Sequence, residues 1–282
     1  MSEEAHEWII RRILVALDTS QHSLAALGTA TELAARLEAE LVGLFVEDIN
    51  LLRLAELPFA QELGMFSATG RRLDTDQVER QLRAQAERAR RALASQAEQA
   101  HVRWSFQVTR GVVAPQLLAA ALEADLVIVG RASGSVSRST RVGSTARGVA
   151  IGASCPALVM AHGARLRLPL LLLYDGSPPA QKAMSVAAAL VRGEDRHLIV
   201  FVLAESQEQA GQVKQQVSQW LQGRGLVARY RLLLEPSLGR LTEMIEAEGC
   251  GTLVVPAHTA YLDDEELLTL LEEVDLPVLL VR

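Results

Sequence analysis

The sequence contains few cysteines, few aromatic residues and almost no lysine. Its 282 residues include two cysteines, Cys155 and Cys250, which lie far apart and outside any CxxC spacing. This usage is typical of a reducing compartment, where buried thiols pack as small hydrophobic side chains. Aromatic residues make up 4% of the chain, and lysine occurs only at Lys182 and Lys214. Because the net charge is −6, we do not expect a dedicated binder of nucleic acids or of anionic membranes.

Signals for metal binding, secretion and membrane insertion are also missing from the sequence. The six histidines are scattered without HxxxH or HExxH spacing, so no metal site is predicted. The first residues, MSEEAHE, are acidic and do not form a signal peptide. The longest apolar runs, such as residues 168–174, have the length of a strand and are too short to span a bilayer. We therefore expect a cytoplasmic protein with no membrane span.

Short apolar runs alternate with segments of helical periodicity along the whole chain. Hydrophobic residues make up 49% of the sequence and charged residues 22%, which is enough material for a large core. A first strand ends at Asp18, and a helix is predicted from about Ser20 to Glu38. Alternation of apolar strands with helices predicts parallel sheets covered on both faces. The predicted apolar face of the first helix consists of Leu24, Leu27, Ala30, Ala34 and Leu37.

The second half of the chain repeats the element order of the first. The run ALDTS around Asp18 matches LYDGS around Asp175, DLVIVG matches GTLVVP, and CPALVM matches LPVLLV. A repeat of this length indicates duplicated domains rather than a solenoid. Residues 162–167 are polar and turn-prone, so we predict one domain over residues 1–163 and a second over residues 164–282.

Two neighbouring segments of the first half have contrasting patterns. Residues 49–75 lack a clear period and are interpreted as an insertion, which either covers the core as a lid or forms a partner-binding or ligand-capping surface. Residues 77–99 have strong helical periodicity and predict a core-packed helix with the ion pairs Glu79–Arg83 and Glu87–Arg91 on its solvated side. The predicted buried stripe of this helix consists of Val78, Leu82, Ala86, Ala89, Leu93 and Ala97.

The run VGRASGSVSRSTRVGST, residues 129–145, combines glycine, serine and arginine directly after a predicted strand. Glycine allows a backbone to approach phosphate oxygens closely and to turn with positive φ, and the start of a helix attracts anions. The segment contains no lysine, which excludes a Walker loop. Arg131, Arg138 and Arg141 could add charge-assisted contacts to a phosphate. A phosphate-binding loop is therefore predicted here, with a mobile surface loop as the alternative.

The runs RRILVALDTS, DLVIVG, VGST and CPALVM resemble the universal stress protein family, and the resemblance covers essentially the whole chain as a tandem pair of domains. It implies an α/β fold in which each domain is doubly wound, with a five-stranded parallel sheet of order 3-2-1-4-5 and helices on both faces. In such a sheet the ligand site lies at the carboxyl ends of strands one and four, where the strand order reverses. Asp18 and Gly130 are expected at the mouth of that crevice.

The nucleotide-binding members of this family carry glycine, two residues, glycine, nine residues, and then glycine followed by serine or threonine. Gly130, Gly143 and Ser144 match that pattern at the right spacing, and Ser133 departs from it. The resemblance implies binding of ATP or another adenine nucleotide, alone or with Mg²⁺. Asp18 is expected near the base and ribose, and Val46 on the adenine ring. The complete set of expected binding residues is Ala16, Asp18, Val46, Val129, Gly130, Ser133, Gly143, Ser144 and Thr145.

The second half lacks the corresponding loop. Its fourth strand ends at Pro256, which has no N–H to donate, and four acids follow at residues 263–266. These acids would repel a triphosphate and are interpreted as the start of a helix, whose dipole they complement. A metal site that combines His258 with Asp263 and Asp264 is the weaker alternative. The second domain is thus predicted to be structural.

Three functions from different classes follow from these observations. The leading hypothesis is a stress-response sensor or adaptor that binds an adenine nucleotide in the first domain and acts on an unidentified protein partner. A slow ATP hydrolase is the second, although no acid or histidine near the loop could act as a general base and no catalytic residue is assigned. A tandem scaffold without nucleotide is the third.

We also expect strands 157–161 and 277–281 to lie side by side, so that the two domains of one chain pair as the two subunits of a homodimer would. Association of whole chains into a homodimer remains an alternative.

Overall fold

The computed structural model describes residues 8–57, 61–63, 70–72, 74–131, 142–161, 163–191, 197–249 and 251–282. The described elements of the first half are β1 (Arg12–Ala16), α1 (Gln21–Leu37), β2 (Glu40–Asp48), α2 (Ile49–Glu56), β3 (Gln61–Leu63), β4 (Gly70–Arg72), α3 (Thr75–Gln99), β5 (Trp104–Gly111), α4 (Val113–Ala121), β6 (Leu126–Gly130), α5 (Ser144–Gly152) and β7 (Ala157–Met160). Those of the second half are β8 (Leu170–Tyr174), α6 (Pro178–Leu190), β9 (His197–Ala204), α7 (Gln207–Gln222), β10 (Val227–Leu234), α8 (Leu238–Glu248), β11 (Thr252–Pro256), α9 (Asp264–Glu273) and β12 (Val278–Val281).

Ten of the strands form one continuous sheet in the order β10-β9-β8-β11-β12-β7-β6-β1-β2-β5. Within each half the strands are parallel, and their order is 3-2-1-4-5, so the predicted fold class is confirmed. The two halves join through β7 and β12, which pair antiparallel with Leu158 opposite Leu279 and Val159 opposite Val278. The expected pairing of the two final strands is therefore confirmed. Each of these strands covers the edge that the other would leave open.

The repeated Asp-x-Ser landmark has a local structural reason. Oδ1 of Asp18 accepts the Ser20 N–H at 2.9 Å, and the Ser20 hydroxyl oxygen in turn accepts the Ser23 N–H at the start of α1. In the second half, Oδ1 of Asp175 accepts the Ser177 N–H at 2.9 Å, and Ser177 caps α6. The aspartate thus tightens the turn after the strand, and the serine satisfies a free N–H of the following helix.

Helices cover both faces of the sheet, and each face carries its own apolar layer. Successive residues of β8 alternate between the layers, with Leu170 and Leu172 on the face of α1, α3, α6 and α7 and with Leu171 and Leu173 on the face of α4, α5, α8 and α9. Both layers contain residues from both halves of the chain, so the core is continuous across the β7–β12 joint.

Cys155 packs in the second of these layers as a small buried side chain, as predicted. Burial raises the pKa of its thiol from the usual 9.0 to about 11. At neutral pH this side chain is therefore a neutral thiol rather than a reactive thiolate. The corresponding expectation for Cys250 falls outside the described residues.

The predicted stripe of α3 is confirmed for five of its positions, Leu82, Ala86, Ala89, Leu93 and Ala97, which are buried. Both predicted ion pairs form, with nitrogen–oxygen distances of 3.0 Å for Arg83–Glu79 and 3.7 Å for Arg91–Glu87. The α1 prediction is wrong at Leu24, which is 40% exposed. The buried face of α1 includes Ala26 and Leu33, and it is therefore rotated away from Leu24.

The interpretation of residues 49–75 as a segment without regular structure needs correction. The segment 49–75 begins with a regular helix, α2, whose Leu52 and Ala55 are buried, and continues with the short antiparallel pair β3–β4. β5 and β10 are the outer strands of the sheet and expose side chains such as Val108 and Val227. No helix in the described part of the chain is long and apolar enough to cross a membrane.

Candidate functional site

A cavity of about 470 Å³ opens at the carboxyl ends of β1 and β6. These strands lie next to each other, and the chain leaves them in opposite directions across the sheet. This is the position at which open α/β sheets bind ligands. The cavity is lined by Ala16, Leu17, Asp18, Ser23, Leu44, Phe45, Val46, Asp48, Leu51, Leu82, Gln85, Val113, Leu117, Val129, Gly130, Arg131, Gly143, Thr145 and Ala146.

Seven of the nine expected binding residues line this one cavity, although they come from four separate parts of the sequence. They are Ala16, Asp18, Val46, Val129, Gly130, Gly143 and Thr145. Ser144, the first residue of α5, is exposed and is not part of the cavity wall. Ser133 falls within residues 132–141, outside the described residues, as do Gly134, Arg138 and Arg141.

Asp18 is held in a fixed turn at the mouth of the cavity. Its N–H donates to the Ser23 hydroxyl oxygen at 3.1 Å, and its Oδ1 accepts the Ser20 N–H. Thr19 adopts a left-handed backbone conformation with φ of 64°, which turns the chain sharply into α1. Among the described residues the turn uses Oδ1 of Asp18, and Oδ2 can accept a hydrogen bond from a ligand hydroxyl or amine.

The N-terminus of α5 supplies hydrogen-bond donors to the same cavity. Gly143 is the N-cap residue, and in the described part of the chain no side chain caps this helix end. The first N–H groups of a helix have no acceptors within the helix, and together with the helix dipole they favour an anion. Gly143 has φ of −64°, a backbone conformation that is open to any residue. What glycine provides at this position is the absence of a side chain.

Gly130 has a structural role that the sequence did not reveal. A Cβ at this position would lie 2.9 Å from the Cβ of His22 and 3.1 Å from the His22 carbonyl carbon and oxygen. Because two of these three atoms belong to the backbone of α1, they cannot move aside easily. Glycine at the end of β6 therefore lets the first turn of α1 pack closely against the cavity floor.

The side chain of Arg131 is committed to the second half of the molecule, contrary to the prediction that it contacts a phosphate. One guanidinium nitrogen donates to the carbonyl oxygens of Val274 at 2.9 Å and Leu271 at 3.2 Å, at the C-terminal end of α9. The other terminal nitrogen lies 3.6 Å from the carboxylate of Asp275. The C-terminal end of a helix attracts a cation and offers free carbonyls, which explains this preference.

Several cavity residues were not predicted, because they come from elements whose position depends on tertiary packing. Asp48 and Leu51 lie at the start of α2, and Gln85 lies on α3 beside the predicted buried stripe. The Asp48 carboxylate accepts the Asn50 N–H at 2.9 Å and so caps α2. The contact of Leu51 with the cavity agrees with the ligand-capping interpretation of the insertion. No sequence signal distinguishes Gln85 from its solvent-facing neighbours.

The corresponding end of the second half is arranged differently. The acids at 263–266 begin α9, with Asp263 and Glu266 forming a reciprocal capping box, so their interpretation as a helix start is confirmed. Tyr261 precedes this helix, and its backbone N–H donates to the Thr259 hydroxyl oxygen at 3.1 Å. Burial, together with the negative charges of Glu205 and Asp175, raises the pKa of the Tyr261 side chain.

Within the described residues, no group of three or more histidine, cysteine, aspartate or glutamate side chains could hold a metal ion. His258, part of the weaker metal-site alternative, instead lies with its Nε2 at 3.4 Å from a guanidinium nitrogen of Arg282.

Comparison with known proteins gives one family. The model of the universal stress protein family matches residues 10–161. A universal stress protein from Archaeoglobus fulgidus DSM 4304 has a solved structure that is 15% identical, with 96% of this chain and 98% of that chain covered and a TM-score of 0.73. A functionally unknown protein from Pseudomonas aeruginosa PAO1 is 13% identical, covers 96% and 92% of the two chains, and has a TM-score of 0.61. No curated protein matches the sequence. At these identities the two structures establish the fold.

Proposed function

Because the chain belongs to the universal stress protein family, we propose that its first half binds ATP or a related adenine nucleotide and acts as a cytoplasmic stress-response sensor or adaptor. The observation that carries this proposal is the cavity at the switch point of the first half, which gathers seven of the nine expected residues. The free, buried Cys155 is compatible with a reducing compartment.

The residues that line the cavity suit the different parts of a nucleotide. Its volume of about 470 Å³ falls within the range of roughly 300–1,000 Å³ that is usual for small-molecule sites. Ala16, Val46 and Leu51 provide apolar surface for a base, and Asp18 can accept a hydrogen bond from a ribose hydroxyl. The uncapped start of α5, beside Gly143, favours phosphate oxygens. The nucleotide is proposed to bind alone or as its Mg²⁺ complex.

The same proposal assigns different roles to the two predicted domains. Residues 1–163 form the nucleotide-binding domain, and residues 164–282 form a domain that does not bind nucleotide. Pro256 and the capping box at Asp263 occupy the positions that the phosphate loop and its helix start have in the first half. We therefore expect one nucleotide per chain.

The most direct test is to identify what the purified protein carries. Chain isolated without added nucleotide and then heat-denatured is expected to release an adenine nucleotide, which mass spectrometry would identify as ATP, AMP or a cyclic dinucleotide. Protein that releases nothing, and that shows no heat of binding with any of these ligands in calorimetry, would leave the tandem scaffold as the better interpretation.

Hydrolysis of bound ATP is expected to be very slow. Asp18 and Asp48 are the carboxylates that line the described cavity, and each already accepts a backbone N–H. The proposal assigns Asp18 to the ribose, so this carboxylate would not activate water at a terminal phosphate. We expect fewer than roughly one turnover per minute, against a median near 10 per second for enzymes. Fast release of phosphate that is lost in an Asp18→Asn variant would favour the hydrolase.

A further inference from the structure

We infer that the second half positions the phosphate-binding end of the first half, by holding both residues that flank segment 132–141 on the C-terminal turn of α9. This inference rests on the proposed function. It assigns a role to the domain that carries no phosphate loop, and it makes Arg131 and Glu272 positioning residues rather than ligand contacts.

The chain before the segment and the chain after it are joined by a direct hydrogen bond. The N–H of Gly143 donates to the carbonyl oxygen of Arg131 at 2.8 Å. Arg131 also continues the sheet, because its own N–H donates to the Met160 carbonyl oxygen of β7 at 2.9 Å. The strand end at Gly130 and the helix start at Gly143 therefore form one closed backbone unit at the cavity.

Side chains and backbone of α9 hold this unit from the other half of the molecule. The guanidinium of Arg131 donates to the carbonyl oxygens of Leu271 and Val274, and its side chain is only 12% exposed. On the other side of the segment, the N–H of Val142 donates to the carboxylate of Glu272 at 3.2 Å. Both flanking residues thus contact the same helical turn. The first half alone does not contain these partners.

The consequence for binding follows from the position of Val142. It directly precedes the N-cap of α5, so fixing its N–H fixes the direction in which the first N–H groups of α5 point. Preorganised donors bind an anion better than donors that must first become ordered. Glu272 therefore supports phosphate binding, although its negative charge alone would oppose a phosphate.

The hydrogen bond from Val142 and the charge of Glu272 have opposite effects on ATP binding, so substitutions at Glu272 can distinguish them. Binding of ATP and of adenosine to the full-length chain is measured by calorimetry for wild type, Glu272→Ala and Glu272→Gln. Both variants remove the charge, but the glutamine side-chain oxygen can still accept the Val142 N–H. We expect Glu272→Ala to bind ATP about tenfold more weakly, as the loss of one hydrogen bond predicts. Glu272→Gln is expected to stay near the wild-type value, and adenosine, which has no phosphate, should bind all three equally.

If Glu272→Ala binds ATP as tightly as wild type or more tightly, the inference is wrong. The carboxylate of Glu272 would then act on ATP only by repelling its phosphates. Equal weakening for ATP and adenosine would overturn it as well, since the effect would not be specific to the phosphate end.

A second readout separates this inference from the proposed function. If wild-type protein binds no adenine nucleotide, the proposed function fails. Hydrogen exchange in the ligand-free chain still reports whether Arg131 and Val142 are held by α9. The Val142 amide is expected to exchange faster in Glu272→Ala and at the wild-type rate in Glu272→Gln. Arg131→Met should accelerate exchange at the Gly143 amide in the same way, with Arg131→Lys as its conservative control. Unchanged exchange in Glu272→Ala and Arg131→Met would show that α9 does not hold the segment.

Discussion

Replacement of Gly143 by valine is expected to weaken ATP binding by at least about 100-fold, which corresponds to the loss of two charge-assisted hydrogen bonds. A branched side chain at this N-cap would occupy the space that phosphate oxygens need beside the first N–H groups of α5. The fold should be unaffected, because φ of −64° and ψ of 156° at Gly143 are open to valine. Calorimetry measures the affinity, and a thermal melt confirms that the variant is folded.

Gly239→Val is a matched control for this substitution. Gly239 lies in α8 of the second half, and apart from its chain neighbours and the backbone of α8, no described atom lies within 4 Å of a Cβ placed at this position. The same chemical change should therefore leave ATP affinity unchanged, as should Pro256→Ala at the end of β11. Wild-type affinity in a folded Gly143→Val protein would contradict the assignment of α5 as the phosphate site.

The second large effect concerns the joint between the halves. Leu279→Ala is expected to lower the free energy of unfolding by about 2–5 kcal/mol, the usual range for truncation of a fully buried leucine. Leu279 is 0% exposed and lies opposite Leu158 across the antiparallel β7–β12 pair. Its apolar layer contains residues of both halves. Both halves should therefore lose stability together and unfold in one transition.

Tryptophan fluorescence can follow the two halves separately in denaturant. Trp8 and Trp104 lie in the first half and Trp220 in the second, so variants that keep one tryptophan report one half each. The two midpoints are expected to coincide and to shift by the same amount in Leu279→Ala. Leu122→Ala, at a side chain that is 74% exposed, serves as control and should change stability by less than about 0.5 kcal/mol. A shift that one probe reports and the other does not would mean that the halves unfold independently.

The fold could be predicted from the sequence because its signals are local and occur twice. Apolar strands, helical stripes and the repeated Asp-x-Ser turn each leave a pattern in neighbouring residues, and the second copy provides an independent check of the first. Leu24 marks the limit of this information. Its spacing agrees with a helical stripe, but the orientation of α1 on the sheet decides which edge of the stripe is buried.

The candidate site could be predicted only in part, for a related reason. Asp18, Gly130 and Gly143 follow strand ends or begin a helix, so sheet topology alone brings them together. Gln85 reaches the cavity only through the packing of α3, which no local pattern records. The prediction that Arg131 contacts a phosphate is wrong because its partners at Leu271 and Val274 lie about 140 residues away in the sequence. A basic side chain beside a glycine-rich segment suggests phosphate binding. The sequence does not show that carbonyl oxygens at a helix C-terminus in the other half bind this side chain instead.

The antiparallel joint of β7 with β12 also determines how the molecule responds to dilution. Two separate chains that met through such strands would dissociate as their concentration fell, and the fraction assembled would depend on how much protein the cell had made. Here both strands belong to one chain, so the encounter is intramolecular and its effective concentration is set by the connecting residues rather than by abundance. Induction or depletion of the protein changes the number of assembled units and leaves their state of assembly the same.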